Sequence, residues 1–157
     1  MQLKGIIDTD TVNYKKISMV LEFPRCDFKC DKECGRKVCQ NSDLAAAPNI
    51  DVNIDEVIAS YLNNPITEAV VCQGLEPMDS LVDLFDFIAA FRKFSNDDIV
   101  IYTGYNKCEI PHIVKSLASY SNIIIKFGRF VPDDQYHYDD VLGVNLASMN
   151  QYAERIS

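Results

Sequence analysis

Strand and helix signals alternate along this chain, and the alternation predicts an α/β domain built on a mostly parallel sheet. Two further observations point the same way. The run Ile123-Ile124-Ile125 is apolar at consecutive positions, as in strands covered on both faces. Several strand signals end in unusual loops, and ligands of such sheets gather at the carboxyl ends of strands. With 157 residues, 48% of them hydrophobic, the chain can build one substantial core, so residues 1–157 read as a single domain.

Taken in order, residues 3 to 23 predict two strands around a polar turn at 8–16. Val20, Leu21 and Phe23 lead directly into a cysteine-dense loop at 24–41, and residues 45–49 follow as a connector. Asn53 opens a helix with Glu56 as its capping-box partner. Ile54, Val57, Ile58, Tyr61 and Leu62 form the apolar face of that helix. Residues 68–72 are a strand bounded by Gly74. The next helix presents Leu81, Leu84, Phe85, Ile88 and Phe91. Residues 98–102 form another strand, and Pro111 suits the first turn of a helix lined by Ile110, Ile113, Val114 and Leu117. Residues 122–127 are a further strand. For 136–157 periodicity gives no assignment.

A formal charge of −8 and a pI near 4.6 argue against nucleic acid as a partner, because phosphate binding needs a basic surface. No apolar run reaches the roughly 18 to 20 residues that cross a bilayer, so no membrane partner is expected. Cysteines that look reduced, with no targeting segment before them, predict a cytoplasmic setting.

Four of the six cysteines, Cys26, Cys30, Cys34 and Cys39, fall within fourteen residues after a strand. A strand ending in such a loop aims several thiolates at one point, as metal and iron–sulfur sites require. Three chemistries fit. Disulfides are formally possible, although the composition builds a core without them. All four thiolates would close a structural zinc site, but gaps of three, three and four residues differ from the paired two-residue knuckles typical of zinc. Three of them would hold an iron–sulfur cluster. Cys72 and Cys108 read as packed, inert thiols. His112 and His137 lie outside the strand-end loops and read as surface residues.

Several motifs in series resemble the radical S-adenosylmethionine enzymes, most closely the small activating enzymes of anaerobic ribonucleotide reductase. Cys26-x3-Cys30 followed by Cys39-Gln40-Asn41 is similar to the family's three-cysteine loop. Gly74-Leu75-Glu76-Pro77 is similar to its Gly-Gly-Glu-Pro motif. Tyr102-Thr103-Gly104-Tyr105 and Ser148-Met149-Asn150-Gln151 resemble two motifs of the activators, as do Ile6-Ile7-Asp8 and Val12-Asn13 near the start. There are departures. Eight residues, including Cys34, separate Cys30 from Cys39, so the third ligand is Cys39 by context, with Cys34 as the alternative. Leu75 replaces a glycine, and Phe127-Gly128 stands where the activators carry Asp-Gly.

The resemblance implies a [4Fe–4S] cluster on Cys26, Cys30 and Cys39, with one iron left for the amino and carboxylate groups of S-adenosylmethionine. It implies that Gly74, Leu75, Glu76 and Pro77 hold the methionine end, Glu76 receiving the ammonium. It places Val38 near the adenine and Tyr102, Thr103, Gly104 and Tyr105 around the nucleoside. The implied partners are a glycyl-radical protein, anaerobic ribonucleotide reductase, and an electron-donor protein. A closed (β/α)8 barrel needs about 250 residues. This shorter chain therefore predicts a small incomplete (β/α) barrel of the radical S-adenosylmethionine type, open on one side to a protein substrate. A radical enzyme acting on a small molecule and a non-catalytic zinc-stabilised module are the alternatives.

Overall fold

The computed structural model describes residues 1–157. β1 (Gln2–Leu3) and β2 (Gly5–Asp10) open the chain, and β3 (Ser18–Phe23) pairs antiparallel with β2. The strand β2 runs further than the sequence predicts, because the turn starts at Asp10: its carboxylate accepts from the amides of Val12 (3.1 Å) and Asn13 (2.9 Å). Then come α1 (Lys29–Cys34), α2 (Ser42–Ala46), β4 (Ile50–Asp51), α3 (Ile54–Asn63) and β5 (Ala69–Gly74). α4 (Leu81–Phe91), β6 (Asp98–Tyr102), α5 (Pro111–Leu117) and β7 (Ile123–Phe127) follow. The tail that resisted assignment forms β8 (His137–Asp139), β9 (Val144–Leu146) and β10 (Tyr152–Arg155).

Six strands make one sheet in the order β10-β7-β6-β5-β3-β2. The four central strands are parallel, and the two outermost, β2 and β10, are antiparallel to their neighbours. The register explains why the central strands are apolar at every position. Leu21, Cys72, Ile101 and Ile125 form one row across the sheet, and Val20, Val71, Val100 and Ile124 form the next. Successive rows face opposite sides. The first row packs under α3, α4 and α5, through Val57, Ile58, Tyr61, Leu84, Phe87, Ile88, Phe91, Val114 and Leu117. The second packs against Tyr14, Leu142 and Leu146, contributed by the β2–β3 turn and the tail. All three helices therefore lie on one face, and sequential parallel strands are neighbours.

Three local expectations are corrected. Asn53 caps α3 by accepting from the Asp55 amide at 2.8 Å, and the Glu56 capping box does not form. Leu62 is 50% exposed, because Tyr61 takes the inward position at the end of α3 and donates to Asp97 at 2.8 Å. In α4 the buried stripe is Leu84, Phe87, Ile88 and Phe91; Phe87 supplants Phe85, which packs at the margin.

Candidate metal centre

One step beyond the Val20–Ile124 row, on the same helix-free face, the sheet turns polar. Glu22, Gln73, Tyr102 and Lys126 sit there, and all four line a cavity of about 390 Å³ at the carboxyl ends of the parallel strands. The cavity also brings together Cys26, Cys30 and Cys39 from the cysteine loop, Gly74, Leu75 and Glu76 from the loop after β5, and Thr103 and Gly104 from the loop after β6. Val38, Pro77 and Tyr105 do not line it, nor does Cys34, which is exposed at the end of α1. Cys72 is buried in the helix-facing core, whereas Cys108 is exposed on a short 3-10 turn and is not the packed thiol the sequence predicts. His112 is exposed and His137 half-buried, and neither lines the cavity.

The long interval between Cys30 and Cys39 folds as α1 and a return segment. Asp31 closes it, its Oδ1 accepting from the amides of Val38 (2.7 Å) and Cys39 (2.8 Å). Those two hydrogen bonds hold the return segment against α1, leaving Cys39 at the cavity and Val38 in the loop. Between Cys26 and Cys30, Phe28 sits at φ 55°, a left-handed conformation that side chains rarely adopt. Such strain gathers at built sites. Its amide donates to the Cys26 sulfur at 3.2 Å. Asn41, two residues after Cys39, donates through Nδ2 to the Gly74 carbonyl at 2.6 Å and so ties the cysteine loop to β5. Gly74 itself has φ 95°, and a Cβ there would lie 2.8 Å from the Phe23 amide nitrogen, so only glycine fits this close approach.

Arg129, beyond β7, anchors the loop from the other side. Its guanidinium makes two 2.7 Å hydrogen bonds to the Glu109 carboxylate. Its Nε lies 3.0 Å from Glu33 on α1, an ion pair without hydrogen-bond alignment. The hydrogen bonds from Arg129 hold the Glu109 carboxyl down to about 2. Tyr105 also supports α1: the Lys29 ammonium sits 3.5 Å from its ring centroid, and its hydroxyl donates to Asp79 at 2.8 Å.

Glu76 is 5% exposed and joins two loops. Oε1 accepts from the Met78 amide at 3.0 Å and Oε2 from the Gly104 amide at 2.8 Å. Burial pushes its carboxyl up to about 7, against those hydrogen bonds. Burial likewise pushes the Cys26 thiol up to about 11, with Glu76, Asp79 and Asp27 adding to the effect. Cys30 is also raised by burial, while Arg129 and Lys126 favour its thiolate. A group that binds thiolate must therefore displace protons here, as metals do.

Sequence reasoning set Gln73 in a loop beside the site and Gln151 in a motif, and it missed Glu22 and Lys126 as cavity residues. The signal for those two is a switch from apolar to polar on alternate positions at strand ends. Gln151 is buried, accepting from the Ala147 amide at 3.0 Å and donating to the Gly128 carbonyl at 3.3 Å.

Three thiols around one cavity fit an iron–sulfur cluster, which takes cysteine ligands. No curated protein and no solved structure matches the chain. Residues 16–151, which hold β3, the cysteine loop and every cavity residue except Val12 and Asn13, match the family model of the 4Fe-4S single cluster domain. The chain belongs to the 4Fe-4S single cluster domain family.

Proposed function

We propose that this protein is a radical S-adenosylmethionine activating enzyme whose substrate is a glycyl-radical protein, anaerobic ribonucleotide reductase. The observation that carries the reading is the single cavity holding Cys26, Cys30 and Cys39 together with the loops after β5 and β6. When bound, the reduced cluster supplies the electron that cleaves a sulfur–carbon bond of S-adenosylmethionine and so gives access to hydrogen abstraction from a glycine.

The chain's own part is to bind and orient. Cys26, Cys30 and Cys39 hold the cluster, and Cys34, on the exposed end of α1, stays outside it. Glu76 has accepting capacity beyond its two amide bonds and receives the ammonium of the cofactor. Gly74 and Leu75 flank its methionine end, and Tyr102, Thr103 and Gly104 flank the nucleoside. The parallel strands in sequential order, with α3, α4 and α5 on one face, support an incomplete (β/α) barrel whose helix-free face is the inner one. A partner protein docked at the carboxyl ends of the strands would keep water and oxygen from the reacting atoms.

The test is anaerobic reconstitution with iron and sulfide, then incubation with reductant, S-adenosylmethionine and the reductase. Expected are 5′-deoxyadenosine release and a glycyl doublet in the electron paramagnetic resonance spectrum. Cofactor cleavage without the doublet would shift the reading to a small-molecule substrate. A colourless, zinc-loaded protein that cleaves nothing would end it.

A further inference from the structure

Lys126 is the one buried member of the polar row at the cavity end of the sheet. It lies on the inner face of β7, two residues after Ile124, and at 7% exposure it is buried. A lysine ordinarily buries its stem and keeps its ammonium in water; this one keeps the ammonium inside. Nζ has three protons to donate. It donates one hydrogen bond, to the Gly128 carbonyl at 2.9 Å, and joins none of the protein's ion pairs. The Tyr102 ring, 5.9 Å away, gives weak further support. Burial pulls the ammonium down to about 8, with Glu76 and Cys30 opposing that pull.

A buried charge without a partner is costly. The Glu76 carboxylate favours the charged form of Lys126, yet the two make no hydrogen bond or ion pair, and the Glu76 oxygens turn to the Met78 and Gly104 amides. Of the three thiols lining the same cavity, Cys30 is the one that acts on the ammonium, and it becomes a thiolate on loading. Arg129 is the other cation near Cys30, but its guanidinium is committed to Glu109 and Glu33.

We propose that Lys126 is the counter-charge of the cluster and sets its reduction potential. The inference rests on the cluster being held by Cys26, Cys30 and Cys39. A one-electron reductant adds one negative charge to the cluster, and no bond forms or breaks. A fixed cation in a poorly solvated cavity stabilises the reduced form more than the oxidised one. The position of Lys126 at the end of β7, held by a strand and by the Gly128 carbonyl, fixes that ammonium in the cavity.

The experiment uses the full chain, reconstituted anaerobically and titrated with dithionite and mediators in the absence of S-adenosylmethionine. Visible absorbance and electron paramagnetic resonance follow the midpoint. At the wild-type midpoint, Lys126→Met is expected to lower the reduced-to-oxidised ratio about tenfold, a shift of about 59 mV for a one-electron couple, while Lys126→Arg stays within about threefold of wild type. Lys126→Gln provides a second neutral variant if the methionine chain does not fold. A neutral variant with full iron content, a wild-type circular dichroism spectrum and an unmoved midpoint overturns the proposal. So does failure of both neutral variants to fold while Lys126→Arg folds, because the charge would then be structural. A wild-type chain that takes up no cluster overturns the three-cysteine assignment itself, and that outcome is visible before any Lys126 variant is made.

Discussion

Cys34 and Cys39 lie five positions apart, yet only Cys39 borders the cavity. Substitution separates them: Cys26→Ala, Cys30→Ala and Cys39→Ala are expected to lose the cluster, and Cys34→Ala to retain it, as read by iron and sulfide content. Retention in Cys39→Ala with loss in Cys34→Ala would reverse the assignment. Glu76→Ala should weaken S-adenosylmethionine binding about tenfold to a hundredfold, since a hydrogen bond to a charged group contributes roughly 1.5–3 kcal/mol; calorimetry reads it. Thiols announce themselves in a sequence because their spacing is unusual. Lys126 does not, because one polar residue at a strand end also reads as an exposed terminus. Its burial depends on the tail that covers the inner face, and that tail has no periodicity to reveal it.

At the level of elements, the cysteine loop is the part the chain anchors from outside. Arg129 reaches it through Glu33, and Tyr105 through Lys29. The Glu33 carboxylate is 60% exposed and that of Glu109 36%, which weakens each pair. Arg129→Met is therefore expected to cost only about 1–2 kcal/mol in global stability, measured by denaturant unfolding, and to accelerate iron loss to a chelator. Unchanged chelation kinetics would show that the anchor plays no part in holding the loop. The central strands and the helices α3, α4 and α5 were legible from periodicity. The course of 24–41 was not, because its helices α1 and α2 bury no residue and so carry no apolar stripe.

Across the whole molecule, Asp98 joins distant segments at the opposite end of β6 from the cavity. Its carboxylate accepts from Tyr14 (2.9 Å) and Lys16 (2.6 Å) in the β2–β3 turn, and from Arg155 (2.8 Å) in β10. Burial pushes this carboxyl up, but the three hydrogen bonds outweigh burial and hold it below the usual carboxylate range. The folded pKa lies below the unfolded value of about 3.9, so the stabilisation is complete above that value and lost as pH falls through the folded one. Thermal unfolding of the metal-free chain between pH 3 and 7 (a range of about four units around that value) should show a drop confined to the acid end. Asp98→Asn should lower stability at neutral pH and flatten that drop. Sequence placed the strand at 98–102 but not this junction, whose members lie between 57 and 84 positions from Asp98.

Because α1 and α2 bury no residue, the sheet and its helices owe nothing of their apolar core to the cysteine loop. Chain assembly and inorganic maturation are then separable events. The polypeptide is expected to reach its final architecture before iron and sulfide are delivered. Amide hydrogen exchange on apo and loaded protein is expected to differ at 24–41 and to agree across β3, β5, β6 and β7. Such a protein is assembled like a socket, complete before anything is plugged into it.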